Sequence, residues 1–157
     1  MNHVRRAESK DIPRILDLLV QVDMVHHIGR PDLFKGPATK YNAEELQEIL
    51  SDDSKPVFVC ENVAGLVIGH AFCIYKQVIG DSVLTDVRTL YIDDICVDEA
   101  ARGTGAGRAL YDHVISYARE QGFYNVTLNV WTCNPGAMCF YEAMGLKPQK
   151  IGMEMIL

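Results

Sequence analysis

Tyr91-Ile92-Asp93-Asp94-Ile95-Cys96-Val97, continued by Asp98 to Ala101 and then by Arg102-Gly103-Thr104-Gly105-Ala106-Gly107-Arg108, is the stretch whose reading decides the fold. An apolar, β-branched run passes into glycines at alternate positions, after which Leu110, Val114, Tyr117 and Ala118 recur on one helical face as far as Gly122. This is a strand, a glycine-rich turn and a helix from about Gly105 to Gln121. Glycines let the backbone approach a ligand without Cβ interference, and the free N–H groups of a helix start point together at one anion. Arg102 and Arg108 add full positive charge to the partial charge of the helix dipole. The pattern predicts a pyrophosphate cradle.

The spacing excludes two familiar owners of such a cradle. A dinucleotide fingerprint needs a third glycine where Arg108 stands and an acidic residue ending the next strand, near Leu128, and neither is present. A P-loop needs Gly-Lys-Ser/Thr, which is also missing. An ordinary tight turn is as good a reading of three glycines alone, and the flanking arginines favour the ligand.

Outward from this stretch, Val4 to Ala7 reads as a strand, and Ile12, Ile15, Leu16, Leu19 and Val20 as an amphipathic helix with Ser9 or Asp11 as cap and Pro13 in its first turn. From Met24 to Tyr41 periodicity fails, with Gly29, Pro31, Gly36 and Pro37 marking irregular chain. Asn42 and Glu45 form a capping box opening a short helix to Leu50. Pro56 to Glu61 and Leu66 to Val78 read as a β-hairpin, and Leu84 to Val97 as a third strand. Downstream come a strand over Asn125 to Trp131, a helix opened by Asn134-Pro135 and closed at Gly145, and one or two final strands in Leu146 to Leu157. The expectation is one α/β (α+β) domain over residues 1–157: a mixed, mostly antiparallel sheet with a central parallel β-α-β step and helices on both faces.

The 157 residues carry a formal charge of −6, 48% hydrophobic and 23% charged residues, and no long apolar run or signal-like segment. Nucleic acid is disfavoured as a partner, since that binding draws on Lys and Arg in excess, and no membrane association is expected. The odd cysteines Cys60, Cys73, Cys96, Cys133 and Cys139 form no C-x-x-C pair and read as reduced, inert thiols in a cytoplasmic protein. The adjacent His26 and His27 lack carboxylate or Cys partners at metal-ligand spacing, so no metal is expected.

Arg102-x-x-Gly105-x-Gly107 after Ile95-Cys96-Val97, with Asn134-Pro135-Gly136-Ala137-Met138-Cys139-Phe140-Tyr141 as a second element, resembles the acetyl-CoA signature of the GNAT superfamily of N-acetyltransferases. The order of elements is similar along nearly the whole chain, which implies a single-domain GNAT-like fold. The resemblance implies that main-chain groups of Ile95, Cys96 and Val97 pair with the pantetheine arm. It implies that the amides of Gly103, Thr104, Gly105, Ala106, Gly107 and Arg108, with Arg102, hold the pyrophosphate, and that Asn134, Ala137, Phe140 and Tyr141 complete the coenzyme site. Ala106 replaces a larger aliphatic residue common in that family. Tyr141 is implied as the group that protonates the departing thiolate.

An alkylammonium acceptor, with pKa near ~10.4, must lose a proton before its nitrogen attacks, so a base is required. Asp93 and Asp94 are the candidates. Alternation along a strand sends them to opposite sheet faces, so that one alone meets the cleft. A bridging water could link either to the amine, and a structural carboxylate is the competing reading of each. Asp-Asp-Ile-Cys-Val resembles the acidic strand of the polyamine and diamine branch. The expected activity is acetyl transfer from acetyl-CoA to a primary amine of a small molecule. Acetylation of a protein N-terminus or lysine, and a non-catalytic coenzyme A-sensing module, remain alternatives. The resemblance also permits a homodimer, and it places Arg30 to Lys35 in the segment that shapes acceptor choice.

Overall fold

Val57-Phe58-Val59-Cys60 is buried throughout and sends its side chains alternately into two cores. Phe58 and Cys60 join one, and Val57 and Val59 the other. A strand that is apolar on both faces must lie inside a sheet covered on both sides. The computed structural model, which describes residues 1–157, places it so. The strands β1 (His3–Arg6), β2 (Val57–Glu61), β3 (Val67–Lys76), β4 (Thr89–Val97) and β5 (Asn125–Leu128) stand in the order of their numbering. Pairing is antiparallel from β1 to β4 and parallel between β4 and β5.

One face is covered by α1 (Ile12–Gly29) and α2 (Ala43–Leu50), whose Ile15, Leu18, Leu19 and Leu46 are buried with Phe72 and Cys96. The other is covered by α3 (Ala106–Glu120), where Ala106, Leu110, Val114 and Ala118 make a buried stripe at four-residue spacing. The last helix is α4 (Pro135–Ala143). Asn42 caps α2 through the reciprocal bonds with Glu45, and Asn134 caps α4 by accepting from Ala137 N with Pro135 in the first turn.

Four expectations need correction. The first helix continues to Gly29 rather than fading at Met24, because no proline or cap stops it before Arg30-Pro31. The third long strand begins at Thr89, not Leu84. The preceding chain folds into a loop on its own polar groups, with Asp81 Oδ1 accepting from Val83 N and Leu84 N and Asp86 Oδ1 from Gly80 N. The fifth strand stops at Leu128 rather than Trp131. The tail forms no strand, although Ile151, Met153, Met155 and Leu157 alternate as a strand's side chains would, and all four are exposed. Strand identity requires a hydrogen-bonded neighbour, and this segment pairs with none. It is tethered instead by an ion pair of Glu154 with Arg30 at the end of α1.

Candidate active site

The β4 strand carries one extra residue. Phe72 stands opposite Asp94 and Cys73 opposite Ile92, so Asp93 bulges out of the ladder. The alternation of side chains resets at that point. Leu90 and Ile92 face α3 before the bulge, Ile95 and Val97 pack toward α3 after it, and Cys96 points into the α1 core. Asp93 and Asp94 therefore do not take opposite faces as strict alternation predicts. Both turn toward the α1–α2 side. Asp93 Oδ2 accepts from Tyr41 Oη at 3.1 Å and pairs with Lys40 Nζ at 2.7 Å. Asp94 Oδ2 lies 2.7 Å from Nε2 of His70, and Phe72 packs against both Tyr41, tilted, and His70, edge-on.

The bulge coincides with the place where the sheet opens. The parallel ladder to β5 ends at Ile92 opposite Leu128, so Asp93 to Val97 have a strand neighbour on the β3 side alone. Half-buried Tyr141 on α4 stands by this opening. Burial, and next the negative charge of Asp94, hold its phenol above the usual tyrosine range. Burial likewise raises Tyr41, reinforced by Asp93 and, more weakly, Asp94. Asp94 thus lies within electrostatic reach of both phenols, whereas Asp93 is engaged by the loop cation Lys40.

Beyond β4, Asp98 Oδ1 caps a short turn by accepting from Ala100 N, and its other oxygen pairs with Arg14 of α1. The chain then reaches Gly103 and Gly105, at φ 77° and 83°. Left-handed backbone at both positions accounts for glycine there. The amides of Gly103, Gly105, Ala106, Gly107 and Arg108 donate to no group of the protein. Arg102 and Arg108 are mostly exposed, with only loose pairs to Glu99 at 4.0 Å and Asp112 at 3.6 Å. Free amides and free guanidinium groups suit an anion with several oxygens. Thr104 is the exception among the predicted amides, since its N–H and Oγ1 both turn back to Ala101 O.

The side chains expected to serve the coenzyme divide by depth. Ile95 and Val97 pack toward α3, and Cys96 donates Sγ–H to Leu18 O with its thiol pushed up to about 12 by burial, so these three offer only main chain to a ligand. Cys73 is raised to about 12 in the same way. Phe140 joins the α3 core and lies against Gly107, whose added Cβ would sit 3.5 Å from that ring. Ala137 and Tyr141 share the next face of α4. His26 stacks on Phe34, which meets Trp131 edge-on, and His27 Nδ1 lies 2.7 Å from Phe34 O. No group of His, Cys, Asp and Glu side chains is placed to hold a metal ion, and no helix is long and apolar enough to cross a membrane.

Sequence reasoning missed His70, Lys40 and Tyr41. A lone histidine within Val67-Ile68-Gly69-His70-Ala71-Phe72 was the available signal for the first. Lys40 and Tyr41 carried none, because their role depends on how the α1–α2 connection crosses the sheet.

The fold and the sequence are similar to those of known proteins. A tetramutant of the BH1408 protein from Bacillus halodurans superposes with a TM-score of 0.94 at 28% identity, over 99% of each chain. The uncharacterized N-acetyltransferase MJ1207 of Methanocaldococcus jannaschii is 32% identical over 103 residues, 66% of this chain and 44% of its own length. Glucosamine 6-phosphate N-acetyltransferase 1 of Oryza sativa subsp. japonica is 33% identical over 66 residues, 42% of this chain and 38% of its own. The chain spans less than half the length of these two curated relatives. Residues 22–146, from within α1 to just past α4, match the acetyltransferase (GNAT) family, and the chain belongs to that family.

Proposed function

We propose that this protein transfers an acetyl group from acetyl-CoA to a primary amine of a small molecule, with Asp94 as the general base. The observation that carries the reading is the bulge at Asp93, which brings Asp94 to the opening between β4 and β5 within electrostatic reach of Tyr141. Acid and base then serve one reacting centre. The amides of Gly103, Gly105, Ala106, Gly107 and Arg108, with Arg102 and Arg108 as counter-charges, would hold the diphosphate. The unpaired edge of Ile95 to Val97 would receive the pantetheine arm, with Asn134, Ala137 and Phe140 closing the site from α4. Thr104 contributes backbone shape rather than an amide.

The chemistry follows from the groups present. Asp94 takes a proton from the acceptor ammonium directly or through one water, and the freed nitrogen attacks the thioester carbonyl. A main-chain N–H near Val97 stabilises the developing oxyanion. Tyr141, a phenol held above its usual range, retains its proton at neutral pH. A thiol of pKa near ~8.5 is the stronger acid of the two, so complete transfer from phenol to thiolate is uphill. Hydrogen-bond donation to sulfur as the C–S bond breaks is the contribution that matters, and its loss costs tens-fold rather than thousands-fold. Asp93 anchors Lys40 and Tyr41, and with them the connection that crosses this face. Arg30 to Lys35 and the His26–Phe34–Trp131 group shape the acceptor side, and the setting is cytoplasmic.

Thiol release from acetyl-CoA, measured against diamines, amino acids, aminoglycosides and peptides, tests the reading. Turnover with a small amine supports it. Turnover with peptides alone would transfer the activity to protein acceptors, and binding of acetyl-CoA without release in any arm would leave a sensing module.

A further inference from the structure

His70 is fully buried in the middle of β3, and it is used by nothing in the reaction outlined above. A buried imidazole needs partners for both ring nitrogens. His70 has one. Nε2 meets Asp94 Oδ2 at 2.7 Å, while Nδ1 is buried and faces no hydrogen-bonding group of the protein. The edge of Phe72 packs against the ring, with centroids 5.0 Å apart, and fixes its plane.

The tautomer follows from this asymmetry. A proton on Nδ1 would be a buried donor without an acceptor, while Nε2 would turn a lone pair toward a carboxylate oxygen. A proton on Nε2 is donated to Asp94 and leaves only an unpaired acceptor, the less costly arrangement. The bond occupies Oδ2 and leaves Oδ1, which accepts from no group of the protein. The carboxylate is thereby held by one oxygen from the neighbouring strand, and no protein donor holds the other.

We infer that His70 is a positioning residue for Asp94: its Nε2–H fixes the rotamer of the carboxylate so that Oδ1 faces the acceptor amine. This rests on Asp94 being the base. His70 touches no substrate, and its contribution is orientation, where small displacements of a catalytic group cost roughly 10- to 100-fold in rate.

Two measurements test it. The first is long-range 1H–15N NMR of uniformly 15N-labelled protein, with the His70 ring assigned by its absence from the His70→Gln spectrum. The proton is expected on Nε2, and a proton on Nδ1 overturns the proposal whether or not an acceptor has been found. The second compares His70→Phe with His70→Gln, whose amide nitrogen can replace Nε2 as donor. With the best amine from the thiol-release panel, kcat falls roughly 10- to 100-fold in the Phe variant while KM for acetyl-CoA stays within about twofold, and Gln recovers most of the rate. Equal losses in the two variants would reduce His70 to packing. If His70→Phe fails to fold, the Gln variant and the NMR tautomer still decide the matter. Absence of turnover by the parent protein with every amine strikes at the acetyltransferase reading instead, and leaves the tautomer result standing.

Discussion

Two clusters of charge lie on this sheet, and they use their hydrogen-bonding capacity in opposite ways. At the β1–β2 edge, Arg5 donates five times: twice to Asp11, twice to Glu61 and once to Arg6 O. Those are all the donors a guanidinium has. Asp11 also accepts from Glu8 N, closing the turn before α1. At the bulge in β4, Asp94 keeps one oxygen without a donor, His70 one nitrogen without a partner, and the loop beyond presents five undonated amides. A saturated network holds chain segments together, whereas an unsaturated one retains capacity for a ligand. The contrast separates structural from functional charge without appeal to residue type, since a carboxylate stands at the centre of both clusters.

Replacing Asp94 by Asn breaks the comparison most severely. Turnover should fall roughly 100- to 10,000-fold, the range for loss of a general base, with Tm almost unchanged. Asp11→Ala should do the reverse. It leaves a half-buried guanidinium with Glu61 as its one carboxylate partner, costs about 2–3 kcal/mol, and lowers Tm by roughly 4–12 °C for a chain of this size, while kcat holds. Steady-state kinetics and thermal melts on the two variants check both halves. Similar profiles would mean that hydrogen-bond saturation does not distinguish the clusters.

Gly105→Val tests the undonated amides. A β-branched residue at φ 83° is strained by about 1–3 kcal/mol, and relief of that strain re-aims the helix-start amides. Acetyl-CoA binding measured by calorimetry should weaken roughly 10- to 100-fold. Gly107→Ala is the control, because its Cβ meets Phe140 and Val97 at ordinary contact distance, its φ is not left-handed, and the amide stays in place. Its Kd should stay within about threefold. Unchanged binding in the Gly105 variant would mean that the loop is not the cradle.

Tyr141→Phe should lower turnover at least about tenfold with little change in acetyl-CoA affinity, since only donation to sulfur is lost. Equal rates in variant and parent would remove Tyr141 from the reaction.

These regions also differ in how far they could be read from the chain. The stripe of α3, the caps at Asn42 and Asn134 and the glycine loop are local patterns, and the residues that make them are within a few positions of one another. The face taken by Asp94 is not local. It depends on a one-residue slip between β3 and β4, which no property of Asp93 or Asp94 announces, and strict alternation misassigns it. His70 became significant only when the antiparallel register put it two pairs away from Asp94, on the same face of the sheet. The tail shows the opposite error: Ile151, Met153, Met155 and Leu157 carry strand periodicity, but periodicity reports the side chains a strand would need and not the neighbour that makes it one.

The smallest effect concerns acid. Asp11 is buried, which by itself would raise its pKa, but the hydrogen bonds from Arg5 and Glu8 N outweigh burial and hold the carboxyl below the usual range. Glu61 is lowered by the same guanidinium. A depressed folded-state pKa means that the unfolded chain binds the proton first. The stabilisation is therefore complete above the unfolded carboxylate value, near ~3.9 for Asp, and is lost as pH falls through the lower folded value. Asp11→Asn removes the charge but keeps an acceptor for Glu8 N. Its Tm should lie below that of the parent by a few degrees at pH 7, about 1 kcal/mol, and the gap should close as pH falls below about 4. A gap that does not narrow at all as pH is lowered below about 4 would show that Asp11 stabilises the β1–β2 edge by shape rather than by charge, and the saturated network would lose its electrostatic meaning.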